Sequence, residues 1–258
     1  MGSIIALANQ KGGVGKTTST MNLAYSLAQH GQKVLVVDMD PQSSLTIYFG
    51  HDPRTLEAQQ QTIYWALMHD KEIRDIIIPG NPAILTSSIQ LASAEPELVT
   101  LWDSATVLRD KLIDIKDEFN IILIDCPPSL TLLTINALAT ADYVLIPVKT
   151  DYLSIMGIPL LLDTVEKLKK RTNTRLGIFG VLPTLYNSRN IHDNDCLSEL
   201  KKSLEPRIPV FEPVKRSTAF DRSASEGKST LELSPDTPGV EAYISLAEAI
   251  IAHGKEEK

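Results

Sequence analysis

The stretch Ala8-Asn9-Gln10-Lys11-Gly12-Gly13-Val14-Gly15-Lys16-Thr17-Thr18 constrains this chain more than any other. It lies between an apolar run at 3–8 that reads as a strand and an amphipathic run at 16–30 that reads as a helix closed by Gly31. Gly12, Gly13 and Gly15 let the backbone curl until its N–H groups converge on one point, and the helix that starts at Lys16 adds its positive end there. Such a point is a phosphate site. Lys16 can reach the β- and γ-phosphates of a nucleotide, and the Thr17 hydroxyl can ligate Mg²⁺. The spacing departs from G-x-x-x-x-G-K-[ST], because Gln10 stands where the first glycine would be. In its place the loop carries a second lysine, Lys11, five residues before Lys16.

Apolar runs alternate with amphipathic stretches along the rest of the chain, which predicts an α/β fold: a doubly wound, mostly parallel sheet with helices on both faces. The run 34–37 is apolar throughout, as a strand covered on both sides must be, and it ends in Asp38-Met39-Asp40. Further strands are expected near 83–86, 121–124, 143–148, 176–182 and 208–211. Helices are expected around 42–49, 60–77, 89–116, 131–140, 153–171, 190–204 and 239–253. In such a sheet the ligand lies beyond the C-terminal strand ends. The phosphate loop, Asp38-Met39-Asp40 and Asp125 all fall on that edge. Asp38 and Asp40 are two apart and point to one side of a strand, although a strand-end acid can also be a simple cap.

The 258 residues show no linker, charge block or repeat, so one domain spanning 1–258 is expected, with no helix-turn-helix extension before the loop. Cys126 and Cys196 form neither a metal pattern nor a disulfide framework and read as buried small hydrophobes. No run approaches the length of a membrane span, and the N-terminus has no secretory pattern, so a cytoplasmic protein is expected. Net charge is −7, but residues 160–230 hold thirteen Lys/Arg against nine Asp/Glu. That asymmetry permits a basic face on an acidic body.

The loop at 10–18, V-L-V-V-D-M-D-P-Q at 34–42, I-L-I-D-C-P-P-S at 122–129 and Glu226-Gly227-Lys228 together resemble the ParA/MinD family of deviant Walker A ATPases, most closely its small ParA or Soj type. The resemblance implies a P-loop ATPase that binds ATP and Mg²⁺ through Lys11, Gly12, Gly13, Val14, Gly15, Lys16, Thr17 and Thr18. It implies that Lys11 reaches the phosphates of a partner subunit's ATP, giving an ATP-sandwich homodimer. It makes Asp40 the residue that positions the attacking water, and Asp125 the acid that contacts Mg²⁺ through water. Asp38 belongs to the Mg²⁺ shell or supports the loop. Pro213 matches the place where the family closes around adenine, and it also reads as a turn residue.

Three outputs compete under the resemblance: DNA binding, membrane association, and catalysis on a small substrate or metal delivery, for the last of which the chain has no C-x-x-C and no recognisable substrate pocket. The ATP-bound pair can bind double-stranded DNA non-specifically and let go when a ParB-like adaptor stimulates hydrolysis, which would make the protein nucleoid-associated. The basic excess supplies Lys201, Lys202, Lys215 and Arg222 for backbone contacts, and the resemblance adds Arg189 and Arg216. Any one of these is equally a solvated surface charge. The same form also positions other cargo, such as carboxysomes or chemotaxis clusters. A membrane output would need a basic amphipathic C-terminal helix. Here 242–258 reads as core-packing with a tip too weakly basic for lipid, so no membrane is expected.

Overall fold

In the computed structural model, which describes residues 2–205 and 207–256, seven strands form one sheet in the order β3-β4-β2-β5-β1-β6-β7. The strands are β1 (Ser3–Leu7), β2 (Val34–Asp38), β3 (Ile77–Ile78), β4 (Ala83–Leu85), β5 (Ile121–Asp125), β6 (Tyr143–Lys149) and β7 (Gly177–Thr184). All pairings are parallel except the two-residue edge strand β3 against β4. The doubly wound architecture expected from the alternating pattern is the one found.

Strand periodicity divides the core in two. Ile4, Ala6, Leu35, Val37, Ile122 and Ile124 face one layer, with helices Leu132–Thr140 and Ile158–Arg171. Ile5, Leu7, Val34, Val36, Ile121 and Leu123 face the other, with α1 (Lys16–Gln29) and the helix Val240–Glu256. These two helices are cross-braced by a buried hydrogen bond of 3.1 Å between the Ser19 and Tyr243 hydroxyls. The apolar face of the last helix is therefore core, as its sequence suggests. Among the described residues no helix is long and apolar enough to cross a membrane.

Several expected elements are redrawn. The 60–77 helix is two pieces, Ile63–Met68 and Ile73–Ile76, and a further helix Pro53–Ala58 precedes them behind an Asp52 cap with Pro at its start. Gln60 and Asp70 have positive φ, 58° and 52°, and reverse the chain between these pieces. The 89–116 helix breaks into a 3₁₀ segment at Ile89–Ser93 and helices Ala94–Leu98 and Val107–Leu112. The 153–171 helix breaks at Gly157, after which Ile158 and Pro159 start a new one. The expected strand at 208–211 is a single parallel bridge, Val181 to Val210. Pro209, which has no N–H, accepts from Val181 N, and Phe211 N donates to Val181 O.

Candidate nucleotide site

Because β1, β2, β5, β6 and β7 are parallel, the loops that leave their C-terminal ends crowd one edge. The phosphate loop leaves β1 and enters α1 through Gly13 (φ 69°) and Gly15 (φ 77°), a left-handed backbone that side chains rarely adopt. A Cβ built on Gly13 meets nothing within 4 Å, so the space over the loop is open for a ligand. The loop is held from three sides. Thr184 Oγ1 at the end of β7 donates to Val14 O at 2.8 Å, Asn9 Nδ2 donates to Pro147 O at 2.8 Å, and Gln10 Nε2 donates to Gly157 O at 2.9 Å.

Lys16 is buried, and its Nζ lies 3.2 Å from the carbonyl of Lys11. Burial lowers its pKa, while Asp125, Cys126 and Asp40 pull it back up. Lys11 is placed differently. Its Nζ points to the rim, where it meets Asp151 Oδ1 at 3.2 Å and Ser154 Oγ at 3.1 Å. Asp151 also pairs with Lys149 at 3.2 Å.

The three carboxylates share the edge but not the same surroundings. Asp38 is fully buried; Oδ1 accepts from Asp40 N at 3.1 Å, and Oδ2 accepts from Thr46 N at 2.9 Å and Thr46 Oγ1 at 2.7 Å. Its oxygens are thus bonded to the segment that follows β2. Burial, the leading cause, drives its pKa up to about 7. Asp40 is anchored through Oδ1, which accepts from Gln42 N at 2.9 Å, and its carbonyl accepts from Ser87 Oγ at 2.8 Å.

Asp125 is also buried. Oδ1 accepts from Thr20 Oγ1 at 3.3 Å, but among the described residues Oδ2 has no hydrogen-bond partner. Burial and then the Asp38 charge raise its pKa to about 8, against the nearby Thr17 hydroxyl and the charge of Lys16. A buried carboxylate oxygen without a donor, beside a threonine hydroxyl and an open phosphate loop, fits a magnesium ion that completes its shell with phosphate oxygens and water. Among the described residues no cluster of three or more His, Cys, Asp or Glu side chains is placed to hold a metal.

Beside Gly13, Gly15 and Thr18 lies a cavity of about 260 Å³ lined by Lys149, Thr184, Val214, Arg216, Thr218 and Asp221 among others. It is where a nucleoside attached to loop-bound phosphates would go. Pro213 is half-buried and does not line it; the segment starting one residue later does. The sequence signal for this wall is the pair of small polar residues Ser217 and Thr218. Gly227 of the Glu226-Gly227-Lys228 segment lies against Gly50, so that a Cβ on it would be 2.9 Å from Gly50 Cα. This contact brings the late segment onto the turn after helix Ser44–Tyr48.

The basic residues separate into two groups. Arg216 N donates to Tyr186 O, which sets Arg216 beside the loop that carries Arg189, and both side chains are exposed. Lys215 pairs with Glu241 at 2.9 Å and Arg222 with Glu226 at 3.1 Å. Lys201 and Lys202 occupy the last turn of helix Ile191–Leu204, which starts at the nucleotide edge and runs roughly 20 Å back along the sheet. They are not neighbours of Arg189 and Arg216.

Fold and site together define a magnesium-dependent P-loop ATPase with an additional lysine in its loop. The AAA_31 family model, described as an AAA domain, matches residues 2–178. The sporulation initiation inhibitor protein Soj of Bacillus subtilis is 39% identical over 257 residues, covering 98% of this chain and all of that one. The chromosome partitioning protein ParA of Myxococcus xanthus is 36% identical, covering 97% and 88%. Among solved structures, a Mycobacterium smegmatis protein described as cobyrinic acid a,c-diamide synthase, with a bound ATP analog and magnesium, superposes with a TM-score of 0.87 at 32% identity, covering 100% and 98%. The chain belongs to the ParA/Soj family of partition ATPases, the group its motifs resemble.

Proposed function

We propose that this positioning ATPase is a switch that pairs two subunits around ATP, binds DNA non-specifically while paired, and releases it when an adaptor of the ParB kind stimulates hydrolysis. The placement of the two lysines carries the reading: Lys16 is buried in its own loop, whereas Lys11 presents its ammonium at an accessible rim. A nucleoside triphosphate needs more positive charge than one lysine supplies, and a half-exposed Lys11 would lend it across an interface.

In the reaction, water attacks the γ-phosphorus and the bond to the ADP oxygen breaks. Lys16 and the loop N–H groups neutralise charge on the phosphates, and Asp40, fixed by Gln42 N and Ser87, orients the water. Thr17 and Asp125 would hold the magnesium, which when bound neutralises charge on the β- and γ-oxygens. The DNA reading rests on the exposed pair Arg189 and Arg216 at the nucleotide edge. The adaptor sets the cargo, and the same switch would serve a carboxysome or a chemotaxis cluster. A membrane role is disfavoured, because the apolar face of the C-terminal helix is spent on α1.

Light scattering with Mg²⁺ and a non-hydrolysable ATP analogue tests the reading. The wild type doubles in mass and Lys11→Ala does not; an undiminished Lys11→Ala dimer overturns it. Gel shifts with ATP, ADP and rising salt test the DNA output, and equal binding in every nucleotide state overturns the switch.

A further inference from the structure

The three residues that open the phosphate loop are all tied to one segment, 147–157. Asn9 bonds Pro147, Gln10 bonds Gly157, and Lys11 bonds Asp151 and Ser154. The acceptor for Lys11 is well built. Asp151 Oδ1 also caps helix Tyr152–Met156 by accepting from Ser154 N at 2.8 Å, so its position is fixed whether or not the lysine is there. The Ser154 N–H and hydroxyl together with Lys149 and Lys11 outweigh burial and hold its carboxyl well below the usual carboxylate range. The second oxygen is paired with Lys149. When Lys11 leaves, Asp151 keeps a cation and a backbone donor, so departure strands no charge.

We propose that Asp151 and Ser154 are positioning residues for Lys11, a resting-state clip that a partner subunit's triphosphate must outcompete before two subunits close. The proposal rests on the paired-subunit reading above. A long flexible ammonium takes the strongest acceptor in reach, and a single carboxylate with a hydroxyl is a weaker one than a triphosphate. The clip therefore sets a charge threshold for pairing and reduces the apparent nucleotide affinity of the pair by the fraction of Lys11 held back. Because the ion pair is partly exposed, the effect is modest, about five-fold per subunit at most.

Asp151→Asn keeps a good helix cap and removes the charge. Ser154→Ala removes the hydroxyl and keeps the capped N–H. Two measurements are made on each full-length variant. First, acetic anhydride labelling of the nucleotide-free protein, read by mass spectrometry, should modify Lys11 about three- to five-fold faster than in the wild type, with Lys33 unchanged as the internal control. Second, light scattering against a non-hydrolysable ATP analogue should move the pairing midpoint to nucleotide concentrations several-fold lower, while ADP binding to single subunits stays the same. A merely structural role would weaken pairing, so the direction of the shift separates the two. Unchanged Lys11 labelling overturns the clip, and so does a wild type that pairs while the variants' midpoint is unmoved or higher. A wild type that does not pair overturns the paired-subunit reading instead, and the labelling still judges the clip.

Discussion

Asp38 and Asp125 end neighbouring parallel strands in matched register, yet one is saturated with hydrogen bonds and the other has an oxygen left over. Both are buried, and burial pushes both carboxyls up, to about 7 and about 8. The difference lies in the donors: Asp38 is bonded to the segment that carries Asp40, whereas Asp125 keeps an oxygen that a cation could take.

Removing the waiting oxygen should therefore act on the metal. Asp125→Asn is expected to weaken Mg²⁺-dependent turnover by about 10- to 100-fold or more, with ADP binding in EDTA unchanged by calorimetry. Full turnover in the variant at ordinary Mg²⁺ would show that the acid has another role.

Asp38 should act on stability. Asp38→Ala leaves Thr46 N, Thr46 Oγ1 and Asp40 N without their acceptor in a buried place. The loss is expected to be about 3 kcal/mol in urea unfolding, larger than for an exposed acid.

Asp40 should act on chemistry alone. Asp40→Ala is expected to bind nucleotide and pair normally while turnover drops by about a hundred-fold or more. Phosphate release at the wild-type rate would remove Asp40 from the reaction.

The Gly50–Gly227 contact predicts a cost for any side chain. Gly227 has φ 66°, and its Cβ would be 2.9 Å from Gly50 Cα, which is backbone and cannot swing aside. Gly227→Ala is expected to lose about 1–3 kcal/mol, or several degrees of melting temperature.

The split of the basic residues predicts unequal effects on DNA. Arg189→Glu with Arg216→Glu should weaken the ATP-dependent gel shift strongly and lower its salt slope by about 0.9 for each phosphate contact removed. Lys201→Glu with Lys202→Glu, at the far end of their helix, should leave it nearly unchanged. The reverse ranking would move the interface to the opposite end of the sheet.

What could be read from the residues follows from where constraint is local. β1, β2 and β5 are legible because a strand buried on both faces must be apolar throughout, and the loop because glycines and lysines carry its chemistry without help from elsewhere. The region 60–77 is misdrawn because its boundaries come from single residues, Gln60 and Asp70, with a positive φ that no periodicity announces, and 89–116 because its apolar positions serve three short segments rather than one. Helices Thr218–Ser225 and Thr230–Leu233 fall outside the expected set although Ser229 and Glu232 spell a capping box in the sequence. Asp151 could not be singled out at all. Its meaning comes from facing Lys11, and the two are brought together only by the pairing of β1 with β6.

Thr184 grips the phosphate loop through Val14 and at the same time walls the neighbouring cavity. One side chain at the end of edge strand β7 thus touches both jaws of a caliper, one suited to phosphates and the other to a base. A molecule shorter or longer than a nucleoside polyphosphate would fill one jaw and miss the other.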